Sequence, residues 1–148
     1  MYRFGVLTAL LLEFAAMLAM LDEQRPLSVS GDPNDYVVGS FPAVDGSGMH
    51  HIVVTLLKKI GNNTAAAAAS ALLRSFPSVQ DVLMVGIAGG CPHPTNAEKH
   101  VRLGDIVVSN EYGIVQYDNV KLEQGVIEIR DTPSAPSPVL LGQAIGSR

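Results

Sequence analysis

Three short stretches hold the residues best suited to chemistry. The first is Glu13, the one acidic side chain in the apolar run FGVLTALLLEFAAMLAM. A carboxylate placed just past a candidate strand has the residue type that general-base work on water requires. The second is Gly61-Asn62-Asn63-Thr64, amide and hydroxyl groups at a candidate helix start. Free N–H groups and the positive end of the helix dipole favour polar or anionic ligand atoms there. The third is LMVGIAGGCPHP at 83–94, an apolar strand running into Gly86, Gly89 and Gly90. A loop so poor in side chains lets a flat ligand lie against bare backbone. Taken singly, each stretch has a plainer role: a solvated helix residue, a helix cap and a turn. Brought together, they make a site with a carboxylate, a polar helix start and a glycine floor.

Other candidates are weaker. Cys91, His93 and His100 fall in a proline-interrupted segment whose spacing matches no zinc pattern, so no metal and no cofactor are expected. His50 and His51 precede a strand and suit a hairpin surface. Cys91 is the single cysteine. It excludes an intramolecular disulfide and fits a reducing, cytoplasmic compartment. Ten basic against fourteen acidic residues give a net charge of −4. With no Lys/Arg-rich run, nucleic acid is not an expected partner. No uncharged stretch is long enough to span a bilayer, so no membrane partner is expected either. The apolar N-terminus superficially suggests a secretory signal, but Glu13 in its middle argues against one.

The elements that must position these residues alternate in type. FGVLTAL is a candidate strand. Phe14, Met17, Leu18 and Leu21 recur at helical spacing over 12–21. Residues 24–34, QRPLSVSGDPN, read as loop. Strands are expected at 35–40 and 51–57, joined through an Asp45-Gly46 turn. A helix is expected over 64–76, capped by Thr64 and stopped at Phe76-Pro77. Its alanines, Ala65 to Ala69, allow close approach to a sheet. Further strands are expected at 81–85, 105–109, 113–117 and 125–129. Strands alternating with helices argue for an α/β fold with a largely parallel centre. In such sheets ligands bind beyond the carboxyl ends of the strands. The loops to Glu13, to Asn62 and to Ala88 should then converge there, with the strands ending near Ala9, Leu57 and Val85 as neighbours.

In combination, GVLTALLLEFAAMLAMLD, GNNTAAAAASALLRSFPSV, LMVGIAGG and VRLGDIVVS followed by GIVQYD resemble the purine nucleoside phosphorylase and nucleosidase superfamily. The likeness is to the nucleosidase-like modules of bacterial and fungal multidomain proteins, and it covers most of residues 4–120. It implies a three-layer α/β fold with a central mixed, largely parallel sheet flanked by helices. It implies cleavage of an N-ribosidic bond in a purine nucleoside or nucleotide. Glu13 matches the glutamate that positions the attacking water in the hydrolytic branch. Substrate-binding roles fall by resemblance on Ala9, Gly61, Asn62, Asn63, Thr64, Ile87, Ala88, Gly89 and Tyr117. No arginine matches at the first loop, which favours water over phosphate as nucleophile. Phosphorolysis, or a non-catalytic nucleotide- or protein-binding remnant, stands as the alternative.

Departures from the family pattern bear on the expectation. Leu11 and Leu12 stand where related modules carry proline and a polar residue. Lys58 and Lys59 stand where many relatives have another glycine, and they suit either solvent or a phosphorylated ribose. The family's C-terminal Met-Glu and Ser-Asp pairs, which hold the ribose hydroxyls and protonate the leaving base, have no match before Arg148. Residues 1–131 therefore read as the N-terminal portion of such a domain, and 132–148 as a Pro/Ser linker and the start of a helix. An apolar face including Val107, Val108, Ile114, Val115 and Val139 to Leu141 is expected to be covered by a homo-oligomer partner or by the missing segment.

Overall fold

The computed structural model describes residues 1–97, 100–109, 113, 120–123, 125–129 and 136–138. The chain divides into two compact units, Met1–Gly89 and Gly90–Arg148.

In the first unit, strand β1 (Phe4–Thr8) is followed by helix α1 (Leu11–Ala19), and β2 (Asp22–Ser28) pairs with β3 (Asp35–Pro42). Then come β4 (Met49–Leu56), helix α2 (Asn62–Ser75) and β5 (Asp81–Met84). They form one five-stranded sheet in the order β2-β3-β4-β1-β5. The β1–β4 and β1–β5 pairs are parallel, and the β2–β3 and β3–β4 pairs antiparallel. The sheet is thus mixed, and its parallel half is β4-β1-β5. As expected, the strands ending near Ala9, Leu57 and Val85 are neighbours; the structure adds that β1 lies in the middle.

The two helices cover opposite faces. Alternation along β1 explains why: Val6 packs with Met17 and Leu21 of the α1 side, while Leu7 packs with Ala68 and Leu72 of α2. A helix layer on each side makes three layers. The alanines do what their size allows. Ala68 and Ala71 are buried, and Leu72, 0% exposed, sits over Gly5. A Cβ on Gly5 would lie 2.7 Å from Leu72 Cδ2, so the glycine makes room for the leucine. Burying such a side chain contributes about 1.5–3 kcal/mol. Phe76, past the end of α2, meets Tyr2 and Tyr36 edge-on at 5.6 and 4.9 Å.

Asp32 ties the β2–β3 connection down. It accepts hydrogen bonds from the Tyr36 hydroxyl at 2.7 Å, from the Asn34 backbone at 2.9 Å and from the Ser75 hydroxyl. Burial pushes the Asp32 carboxyl up, but these bonds outweigh it and hold it below its ordinary value. Burial and the neighbouring Asp32 push the Tyr36 phenol up to about 12.

Several expected boundaries shift. Residues 24–34 were expected as loop, yet 22–28 form β2. The strand lies at the sheet edge, where Pro26 is tolerated, and most of its side chains are exposed. It carries no alternation to read. Helix α2 starts at Asn62 behind Gly61 as N-cap, so Thr64 does not cap it. Gly61 has φ 140°, open to glycine alone, and turns the chain into the helix early. The Asp45-Gly46 turn forms as expected: Ser47 N–H donates to Asp45 Oδ1 at 3.0 Å and Ala43 N–H to the Gly48 carbonyl at 2.8 Å. His50 lies in β4 with its ring edge-on to Phe4.

In the second unit, β6 (Val120–Glu123) and β7 (Val126–Ile129) form an antiparallel hairpin. It turns at Gly125, whose φ is 82°. Only β7 was expected. The expected strand at 105–109 does not form. Its residues take no regular structure and Ile106, Val107 and Val108 are exposed. A β-branched run becomes a strand only against a pairing neighbour, and none of the described strands pairs with it. Of the expected strand at 113–117, all but Gly113 lie outside the described residues.

No helix among the described residues is long and apolar enough to cross a membrane.

Candidate functional site

The site is built where β1 hands over to α1. Apolar residues fill the first turn of α1, and Leu10, its N-cap, has no side-chain oxygen to cap with. Glu13, at the third helical position, does half of that work instead. Its Oε2 accepts the backbone N–H of Leu10 and of Ala9, each at 2.9 Å. Its Oε1 accepts the N–H of Ile87 at 2.8 Å, from the segment leaving β5. The carboxylate thus clasps the exits of two adjacent parallel strands.

The electrostatics follow from these bonds. Glu13 is 7% exposed, and burial alone would raise its pKa. The Ile87 N–H and then the Leu10 N–H, assisted by Ala9, outweigh burial and hold the carboxyl below its ordinary value. The positive end of α1 acts in the same direction. The group is therefore an anion at neutral pH.

An ionised carboxylate has about four lone-pair sites. Two are filled on Oε2 and one on Oε1. Among the described residues nothing fills the remaining acceptor site, which belongs to Oε1.

Gly86 borders that oxygen: a Cβ built on it would lie 2.9 Å from Glu13 Oε1. Its backbone is not left-handed, so space alone accounts for the glycine. Thr8, the last residue of β1, is fully buried, and its hydroxyl has no hydrogen-bond partner among the described residues. Neither Gly86 nor Thr8 stood out as a site residue in the sequence. Gly86 opens the glycine cluster, which was its only signal. Thr8 looks like any β-branched strand residue.

Of the expected site residues, the structure brings Glu13, Ala9 and Ile87 into direct contact. Gly61, Asn62, Asn63 and Thr64 follow β4 and so stand at the same end of the parallel half of the sheet. Among the described residues no hydrogen bond joins them to Glu13. Ala88 and Gly89 continue the exposed segment after Ile87. Tyr117 lies outside the described residues. Leu11, Leu12 and Ile87 are exposed. Among the described residues no cluster of His, Cys, Asp and Glu is arranged to hold a metal.

The connections around the site also matter. β1 leads through α1 on one face toward β2, while β4 leads through α2 on the other face to β5. Neighbouring parallel strands whose connections part in opposite directions define a topological switch point, and Glu13 stands beyond its carboxyl ends.

No protein-family model matches the chain. A curated relative, a nucleotide-binding leucine-rich repeat (NLR)-like protein of Hyaloscypha variabilis, is 35% identical over 95% of this chain. The chain spans only 14% of that relative's length. Among solved structures, the Neisseria meningitidis 5′-methylthioadenosine/S-adenosylhomocysteine nucleosidase is similar at 22% identity and a TM-score of 0.49. That match covers 65% of this chain and 37% of the other. The Streptococcus pneumoniae MTA/SAH nucleosidase matches at 23% identity and a TM-score of 0.48, covering 64% and 37%. Futalosine hydrolase of Helicobacter pylori matches at 24% and 0.46, covering 60% and 34%. Each of these three matches covers roughly three fifths of this chain.

Proposed function

We propose that this chain carries the water-activating half of an N-ribosidase site. The reaction is hydrolysis of the N-glycosidic bond of a purine nucleoside or nucleotide. The observation that carries the reading is the Glu13 carboxylate: ionised, fixed by three backbone N–H groups, with one acceptor site on Oε1 unfilled among the described residues. One acceptor site suits one water. A water donating to Oε1 has its lone pair turned outward, and the carboxylate takes its proton as the C–O bond to the anomeric carbon forms and the C–N bond breaks, the purine leaving with that electron pair and taking its proton from solvent. The depressed pKa makes Glu13 a weak base toward neutral water. Its use is greatest late in the reaction, when an oxocarbenium-like carbon has already drawn electron density from that water.

The same anion disfavours phosphorolysis, since a phosphate entering beside it meets like charge. Substrate contacts are assigned to Ala9, to Gly61 through Thr64 at the start of α2, and to Ile87 through Gly89. Purine base and ribose are the chemistry such a floor and helix start would hold. The identity to a much longer NLR-like protein supports a module of a larger protein.

One observation favours a second reading. Three of the lone-pair sites of Glu13 serve the protein's own backbone, which is the arrangement of a structural clasp. A non-catalytic binding module would need no more than that.

The test is base release from adenosine, methylthioadenosine, adenosylhomocysteine, AMP and ATP, by this chain and by a longer protein that contains it. Turnover that Glu13→Gln lowers by about 10²–10⁴-fold is the expected result for the enzyme. Binding of the same compounds without base release supports the module. Equal turnover by Glu13→Gln removes Glu13 from the mechanism.

A further inference from the structure

We infer that Gly86 is a positioning residue for Glu13: its missing side chain keeps Oε1 in reach of the Ile87 N–H and leaves the remaining acceptor site of that oxygen open to water. The inference rests on the reading of Glu13 as the water-activating carboxylate.

The distances carry it. A Cβ at 86 would stand 2.9 Å from Oε1, 3.3 Å from the carboxyl carbon and 3.5 Å from Oε2. The three heavy atoms nearest to that position all belong to the Glu13 carboxylate. The first obstacle to a side chain at 86 is therefore the Glu13 carboxylate. Because φ of Gly86 is not left-handed, alanine could adopt its backbone without strain. Added bulk has two outlets. The carboxylate, the far end of a flexible side chain, swings away and lengthens its bond to the Ile87 N–H, or the methyl stays beside Oε1 and fills the place of a water. Both outlets end the arrangement in which one oxygen holds one backbone donor and one water.

The direction of the first outlet also follows. The Ile87 N–H is the strongest of the influences holding the Glu13 carboxyl down. A side chain at 86 that weakens that bond moves the group back toward ordinary carboxylate behaviour. Gly86 thereby acts on the protonation of Glu13 without touching substrate.

The experiment is Gly86→Ala, alone and together with Glu13→Ala, in this chain. The side-chain carboxyl of Glu13 is titrated by 13C NMR and exchange of the Ile87 amide is followed. Thermal unfolding is compared in both backgrounds. In Gly86→Ala the carboxyl should titrate at higher pH than in the parent, and the Ile87 amide should exchange at least about tenfold faster. The loss of melting temperature caused by Gly86→Ala should largely vanish once Glu13 is alanine. If Gly86→Ala alone does not fold, recovery of folding in the double variant supports the inference, and failure of both to fold overturns it. An unchanged titration, or an equal loss of stability in both backgrounds, also overturns it. Where base release is measurable, Gly86→Ala should lower kcat and move the acid limb of the pH profile upward. If the parent chain releases no base, the proposed function fails, while the titration and the paired variants still decide the role of Gly86.

Discussion

Glu13 and Ile87 stand 74 positions apart and are joined by one hydrogen bond of 2.8 Å, amide to carboxylate. With the Ala9 and Leu10 bonds on the other oxygen, it fastens the turn after β1 to the exit of β5. Replacing Glu13 by glutamine tests both halves of this arrangement. An amide offers one acceptor oxygen and puts an NH2 against at least one backbone N–H. Glu13→Gln should therefore lower the melting temperature, retain the far-UV circular dichroism of the fold, and lower any base release by about 10²–10⁴-fold. A variant as stable and as active as the parent contradicts the arrangement.

Stability should fall in acid, and two groups set the window. Glu13 and Asp32 both titrate below their ordinary values of 4.5 and 3.8. The unfolded chain therefore binds their protons first as pH drops. Their contribution is complete above the ordinary values and drains away as pH falls through the lowered ones. Urea midpoints measured from pH 7 down to pH 2 should decline most steeply below about pH 4.5. The double variant Glu13→Gln/Asp32→Asn should show a flatter profile. A parallel decline in parent and variant would assign acid sensitivity to other groups.

The contact between Gly5 and Leu72 should behave as a matched pair. Leu72→Ala, at a 0% exposed position, should cost about 2–5 kcal/mol in urea unfolding. Gly5→Ala drives a methyl against the Leu72 side chain and should cost about 1–3 kcal/mol as overpacking. Combined, the two should cost less than their sum, because the added methyl enters space the leucine has left. Strict additivity would mean that the two residues do not compete for the same volume.

The 148-residue chain by itself should associate or bind apolar dyes. Ile106 is 91% exposed and Val107 and Val108 are exposed beside it, a β-branched row without a pairing strand among the described residues. Light scattering across a concentration series should show mass rising with concentration, and Val107→Lys should reduce it. A monodisperse monomer that binds no dye would count against an interface in this segment.

The first unit was legible where periodicity was strong. Val6 and Leu7 point to opposite faces, Met17 and Leu21 share a helix face, and after His51 the 51–57 run has no polar break until Thr55. These patterns were enough to expect the strands ending near Ala9, Leu57 and Val85 as neighbours, though not their order around β1. Glu13 was legible as a chemical group because nothing else in its segment is charged. Its three backbone partners were not, since N–H groups leave no mark in a sequence. β2 escaped because an exposed edge strand needs only a backbone partner. The strand expected at 105–109 erred the other way: Ile106, Val107 and Val108 have the propensity but not the neighbour. Gly61 moved the start of α2 ahead of Thr64 through a backbone angle that a residue list does not carry.

The strand order has a consequence for how the molecule is assembled. β2, β3 and β4 follow one another along the chain and pair as an antiparallel meander, so their contacts close short loops. β1 comes first in the sequence but pairs with β4 and β5, strands made much later. Loop closure of that length is slow. On a growing chain β1 and α1 must wait, with one edge of β1 unpaired, until residues beyond 81 have been synthesised. The Ile87 amide arrives after β5 itself, so the carboxylate of Glu13 gains its last partner only when the sheet is finished. Its clasp closes as the final stitch of the unit, and an early-terminated chain lacking residue 87 would leave that oxygen unfastened.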